Sequence, residues 1–127
     1  MRTDSDRHYT IEEANASRAW VATRIGYARA AVQALVGVDG LSARAERAVE
    51  SGGDYPGRTA GAALVALHVS LAELERAGVM IRDLHRGLVD FPSTRDGQEI
   101  CLCWQVDEHE IAFWHSHDAG FAGRQPL

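Results

Sequence analysis

The spacing of apolar residues changes after Gly78, and that change limits what this chain can fold into more than any other feature. Upstream, a first seam runs through Ile11, Ala14, Arg18, Val21, Ile25, Ala28, Val32 and Leu35, with Arg18 its one misfit. A second runs through Ala60, Leu64, Leu67, Leu71 and Leu74. Steps that alternate between three and four place one apolar stripe along a helix, and two such stripes bury each other. Downstream, branched and aromatic residues fill short runs at 79–84, 88–91, 99–106 and 111–117, the composition of strands. Helices that precede strands, with no length left for parallel crossovers, imply an α+β fold. A long antiparallel helical hairpin is followed by a three- to four-stranded antiparallel meander packed on it.

Local signals set the boundaries. Thr10 followed by Glu13 is a capping box, with Tyr9 in the preceding position. Gly37 and Asp39-Gly40 end the first helix near Val36. Residues 41–50 read as a short separate helix or a bent continuation, and 51–57 as a turn-forming linker. Gly78 suits a left-handed helix cap. Pro92 and Asp96-Gly97 mark turns, and residues 107–110 join the last two strands as a hairpin. Residues 1–9 carry no periodicity and read as a flexible leader to a single domain over 10–127.

Composition excludes several classes. A chain of 127 residues, 46% hydrophobic, is large enough for one core without covalent staples. Eighteen acidic against 13 basic residues give a net charge of −5, and no basic cluster is present, which argues against nucleic-acid binding. No apolar run approaches the roughly 20 residues of a membrane span. The polar N-terminus lacks the apolar stretch of a signal peptide, and two cysteines at i, i+2 make no disulfide framework, so the expected address is cytoplasmic. Phosphate-binding glycine loops, nucleophile elbows, His-Glu-x-x-His and calcium loops do not occur.

Five segments carry a family resemblance: Thr10-Ile11-Glu12-Glu13-Ala14-Asn15, Gly87-Leu88-Val89-Asp90-Phe91-Pro92, Leu102-Cys103-Trp104, Phe113-Trp114-His115, and Gly120-Phe121-Ala122-Gly123-Arg124-Gln125-Pro126-Leu127. Together they resemble the bacterial domain-of-unknown-function 2203 family, over most of the chain apart from the leader and the middle linker. The resemblance implies no particular activity. The chain departs from the family pattern at Asp107-Glu108, where a Gly-Glu turn is usual, and at His117.

Strand alternation then sorts the C-terminal residues. A two- or four-residue turn pairs even positions of the third run with odd positions of the fourth. Ile100, Leu102 and Trp104 would then join Ile111 and Phe113 against the helices, carrying His115 inward, while Cys101, Cys103 and Trp114 face outward. A bulge would reverse the assignment. At the helix–sheet boundary His115 would meet Glu12, Glu13, Arg18, His68 and Glu73. A histidine and carboxylate cluster there suits a divalent transition metal, zinc or iron, or a general acid–base pair. A buried histidine satisfied by one carboxylate is the other reading. His115 and His117 stand about 7 Å apart by strand rise, within reach of one metal.

Asp90 either bonds turn amides before Pro92 or acts as a metal ligand or partner of Arg124. Arg124 either presents its guanidinium to an anion or latches the terminus. Cys103 and Trp104 are further candidates for contacting a small ligand, although Cys-x-Cys alone supplies two thiolates where structural zinc takes four ligands. Cys103 can equally pack as a small apolar residue beside Trp114. Two functions remain: binding of a metal or small ligand around His115, or a structural, adaptor role through a self-associating helical hairpin, most simply as a homodimer.

Overall fold

The computed structural model describes residues 7–37 and 56–127, so the expectations for residues 1–6 and for the middle segment 41–50 lie outside the described residues. Helix α1 spans Ile11–Ala16 and α2 spans Arg18–Val36. The capping box forms as expected: the Glu13 amide donates to Thr10 Oγ1 and the Thr10 amide to Glu13 Oε1, each at 3.0 Å. The single helix expected over this stretch is interrupted at Ser17, whose hydroxyl donates back to the Glu13 carbonyl at 2.9 Å. Such back-bonding competes with the regular ladder. The misfit Arg18 points away from the helical seam, donating to the Asn15 and His109 carbonyls.

Helix α3, Pro56–Arg76, packs along α2, and Arg24 near the start of α2 pairs with Glu73 near the end of α3 at 2.8 Å, as an antiparallel pair requires. Its buried stripe is Ala63, Ser70 and Leu74 rather than the full leucine series, and Leu64 is 56% exposed. Small residues face one another there, Ala28 and Ala31 on α2 and Ala63 and Ser70 on α3. Interaxial distance is set by the side chains at the contact. Small ones allow close approach and rotate Leu64 outward. The helix ends in a Schellman arrangement, Val79 N–H to Leu74 O and Gly78 N–H to Glu75 O, with Gly78 at φ 80°.

Five strands follow in spatial order 1-2-3-4-5, every pair antiparallel: β1 Met80–Asp83, β2 Leu88–Arg95, β3 Gln98–Gln105, β4 Phe113–Ser116 and β5 Gln125–Pro126. The expected three or four strands become five because Gln125–Pro126 pairs with β4. Asp96 and Gly97, both at positive φ, close the β2–β3 hairpin. Pro92 does not mark a turn. It lies within β2 opposite Cys101, and its carbonyl accepts the Tyr9 amide at 2.7 Å.

That contact anchors Tyr9, the last residue of the expected leader. Tyr9 is 3% exposed, its hydroxyl reaches the Ala77 carbonyl at 2.5 Å, and its ring meets Phe91 edge-on at 5.1 Å. The core gathers Tyr9, Val21, Ile25 and Leu74 with Val89, Phe91, Leu102 and Trp104, so odd positions of β2 and even positions of β3 face the helices. Among the described residues no helix is long and apolar enough to cross a membrane.

Candidate functional site

The β3–β4 register decides the site. Ile100 pairs with Ser116, Cys101 with His115, Leu102 with Trp114 and Cys103 with Phe113. Even positions therefore meet even positions, opposite to the expected parity. The connection is not a tight turn: residues 106–112 lie between the strands, an odd-length loop tied to the helices. The Ile111 amide donates to Asn15 Oδ1 at 2.9 Å, and Arg18 donates to the His109 carbonyl. His115 consequently leaves the helix-facing side and joins Cys101 and Cys103 on the opposite face, while Trp114 packs against the core.

That face is not solvent-exposed as expected. Asp90 and Cys101 are fully buried, and Cys103 and His115 are 1% and 2% exposed. β2 brings Asp90 directly opposite Cys103. One ligand atom each from Asp90, Cys103 and His115 lie within 4.8 Å of one another. Arg82 reaches this cluster from β1, where the register slips between Ile81 and Asp83 and leaves Arg82 as the extra residue. Its Nε donates to Asp90 Oδ2 at 2.7 Å.

His115 carries the informative geometry. Nδ1 lies 2.7 Å from the Ser116 carbonyl and Nε2 lies 3.0 Å from Asp90 Oδ1. A carbonyl and a carboxylate oxygen are both acceptors, so each contact needs a positive centre between the atoms. Nδ1–H supplies one toward Ser116. Between Nε2 and Asp90 Oδ1 the centre is a proton, carried by the ring or by the carboxyl, or a metal ion.

The thiols are not intrinsically activated. Burial, and then the Asp90 charge, pushes the Cys103 thiol up to about 11, against the opposing influence of Arg124. Burial raises Cys101 as well, with Arg82 opposing. Neither is a thiolate at neutral pH unless a cation displaces its proton. A cavity of about 330 Å³ opens beside the cluster, with Arg82, Cys103, His115, His117, Asp118 and Phe121 in its wall.

The other expected site residues are dispersed. Glu12 is exposed in the first turn of α1, and Glu13 is engaged in the capping box, where the Thr10 amide and hydroxyl hold its carboxyl below the usual range. His68 is exposed on α3. Trp104 is in the core, its indole N–H donating to the Glu108 carbonyl at 3.0 Å. Arg124 pairs with Glu108 rather than Asp90, through two bonds of 3.1 and 3.0 Å, and stacks over Phe113 and Phe121. The terminal latch therefore runs through Phe121 and a glutamate, Glu108. Arg82 was not foreseen, although a β1–β2 hairpin already brings it beside Asp90.

The profile of a family of uncharacterized conserved proteins, DUF2203, matches residues 7–127. The chain belongs to the DUF2203 family. No curated protein and no solved structure matches it. In this DUF2203 chain, segments far apart in sequence converge on one cavity: Asp90 from the Gly87–Pro92 motif, Cys103 from Leu-Cys-Trp, His115 from Phe-Trp-His, and Phe121 from the C-terminal motif. Gly87 itself takes φ 68°, and a Cβ there would lie 2.4 Å from Val106 and 2.6 Å from the Arg29 guanidinium. Glycine is required at that position for space as well as conformation.

Proposed function

We propose that this DUF2203 protein binds a divalent transition metal, zinc or iron, through Asp90, Cys103 and His115, leaving an open coordination position toward the 330 Å³ cavity where a small ligand docks. The observation that carries this is the convergence of three buried donor atoms, one each from Asp90, Cys103 and His115, within 4.8 Å of one another. Imidazole, carboxylate and thiolate with one vacant position make a ligand set of the catalytic zinc type. Two of the three donors have an outer partner that orients them, as metal ligands generally do: Ser116 O for His115 Nδ1 and Arg82 for Asp90 Oδ2. Tetrahedral coordination at metal–ligand distances of about 2.1 Å separates N and O by about 3.4 Å, so the pair need open by only about 0.4 Å.

Metal bound there would act as a Lewis acid toward a ligand oxygen in the cavity. The test is metal analysis of protein purified without a His tag, before and after equilibration with Zn²⁺. One tightly held equivalent, lost in both Cys103→Ser and His115→Ala, supports the reading. A folded native protein that takes up no metal, or holds it equally well in both variants, overturns it.

A second reading rests on the helical pair. Tyr27, Leu64, Val65 and Val69 are exposed by 45% or more along α2 and α3, flanking an apolar groove of about 600 Å³. A surface of that character suits self-association as a homodimer. Light scattering that gives twice the monomer mass, reverting to monomer in Leu64→Glu/Val65→Glu, supports this reading, and a strict monomer at high concentration removes it.

A further inference from the structure

We infer that the ligand of the 330 Å³ cavity is a small monocarboxylate, held by Arg82 and selected against dianions by Asp118. The inference rests on the metal reading above, because one ligand oxygen takes the open coordination position beside Asp90, Cys103 and His115. Arg82 is fixed at one edge and free at the other. Asp90 Oδ2 accepts its Nε at 2.7 Å, and Nη2 reaches the Met80 sulfur at 3.5 Å, whereas Nη1 has no acceptor among the described residues. A planar guanidinium anchored by one buried carboxylate keeps donors for a second, and this side chain remains 45% exposed.

Asp90 also sets the distance to be spanned. Its Oδ2 faces Arg82 while its Oδ1 faces His115 Nε2 at 3.0 Å. The guanidinium therefore stands one carboxylate group away from the donor cluster. A ligand carboxylate lying alongside Asp90 spans the same gap, with one oxygen toward the cluster and the other toward Arg82.

Charge sets the valence of the ligand. With a divalent ion held as proposed, the Asp90 carboxylate and a Cys103 thiolate cancel its two positive charges, and a neutral imidazole adds none. Arg82 is then the cation left over, since among the described residues no other arginine or lysine lines that wall. A monoanion balances it. A second negative charge would meet the exposed Asp118 carboxylate of the same wall and be repelled. The buried Leu88 side chain and the Phe121 ring supply apolar surface, and the Arg86 and Arg124 guanidinium groups lie 4.6 and 4.4 Å from that ring's centre. A volume at the lower end of the range for ligand pockets limits the apolar part to a small one.

The cobalt-loaded, tag-free full chain tests this, since the visible bands of Co²⁺ respond to a change in its ligands. It is titrated with propionate, with the neutral isostere propionamide, and with sulfate, at constant ionic strength. Propionate should shift the bands saturably, propionamide should not, and sulfate should bind about tenfold more weakly than propionate or worse. Arg82→Met should weaken propionate by about tenfold or more, the loss of a contact between charged groups. Asp118→Asn, a change to an exposed side chain, should narrow the gap between sulfate and propionate. Should Arg82→Met lose cobalt, Arg82→Lys, which keeps the charge without the planar fork, is read in its place and must also weaken propionate. A chain that takes up no cobalt overturns the metal reading and this one with it. Cobalt uptake with bands that propionate leaves unmoved overturns this inference alone, as does propionate binding that the Arg82 variant leaves unchanged, or sulfate bound as tightly as propionate.

Discussion

Asp90→Asn tests the buried network with almost no change in volume. The carboxylate is 1% exposed and receives Arg82 Nε at 2.7 Å on one oxygen while facing His115 Nε2 at 3.0 Å on the other. Removing one partner of a fully buried ion pair costs about 3–5 kcal/mol. Here the Arg82 side chain is 45% exposed and can be solvated once released, so the appropriate scale is a hydrogen bond to a charged group, about 1.5–3 kcal/mol. We take about 2 kcal/mol for the substitution. At about 3–4 °C per kcal/mol for a domain of this size, Tm falls by about 6–8 °C. The assay is urea unfolding with chelator present, so that only the protein network is read, in a double-mutant cycle with Arg82→Met. The cycle should return a coupling of about 1 kcal/mol, since the pair is half in water. A loss below about 0.5 kcal/mol, or no coupling, would refute the view that Asp90 anchors this face through Arg82.

Three further outcomes can be measured. Because the folded Cys103 thiol titrates near 11 against an ordinary value of 9.0, the unfolded chain releases its proton first. Its contribution to stability is complete below about pH 9 and is lost as pH rises toward 11, and Cys103→Ser flattens that part of the stability–pH curve. Metal bound as proposed would displace the same proton, so apparent Zn²⁺ affinity should rise about tenfold per pH unit on account of Cys103 between pH 6 and 8. Competition with a chelator reads it, and a flat profile counts against thiolate coordination. Gly87→Ala should cost more than about 2 kcal/mol in equilibrium unfolding, combining the left-handed backbone with the 2.4 Å approach of Val106. A neutral result would mean that the β1–β2 turn has room to spare.

Sequence alone determined what short-range interactions control. The Thr10–Glu13 capping box, the Gly78 helix end, the Asp96-Gly97 hairpin and the order of helices before antiparallel strands each depend on residues a few positions apart. Backbone sterics and local hydrogen bonds settle such features before any packing occurs. Asp90, Cys103 and His115 were all legible as candidates, because an acid, a thiol and an imidazole within apolar strands stand out.

Which of them meet was decided by tertiary structure. Strand alternation has a period of two, so one residue more or less in the β3–β4 connection exchanges the faces of every following side chain. That connection is held by Asn15 and Arg18, nearly a hundred residues away, and its odd length carried His115 from the helix-facing side to the Asp90–Cys103 side. The same long-range packing buried Tyr9, rotated Leu64 outward, and left Glu12, Glu13 and His68 away from the cluster. Residue types fixed the chemistry available to this chain, and the register fixed which of it is brought together.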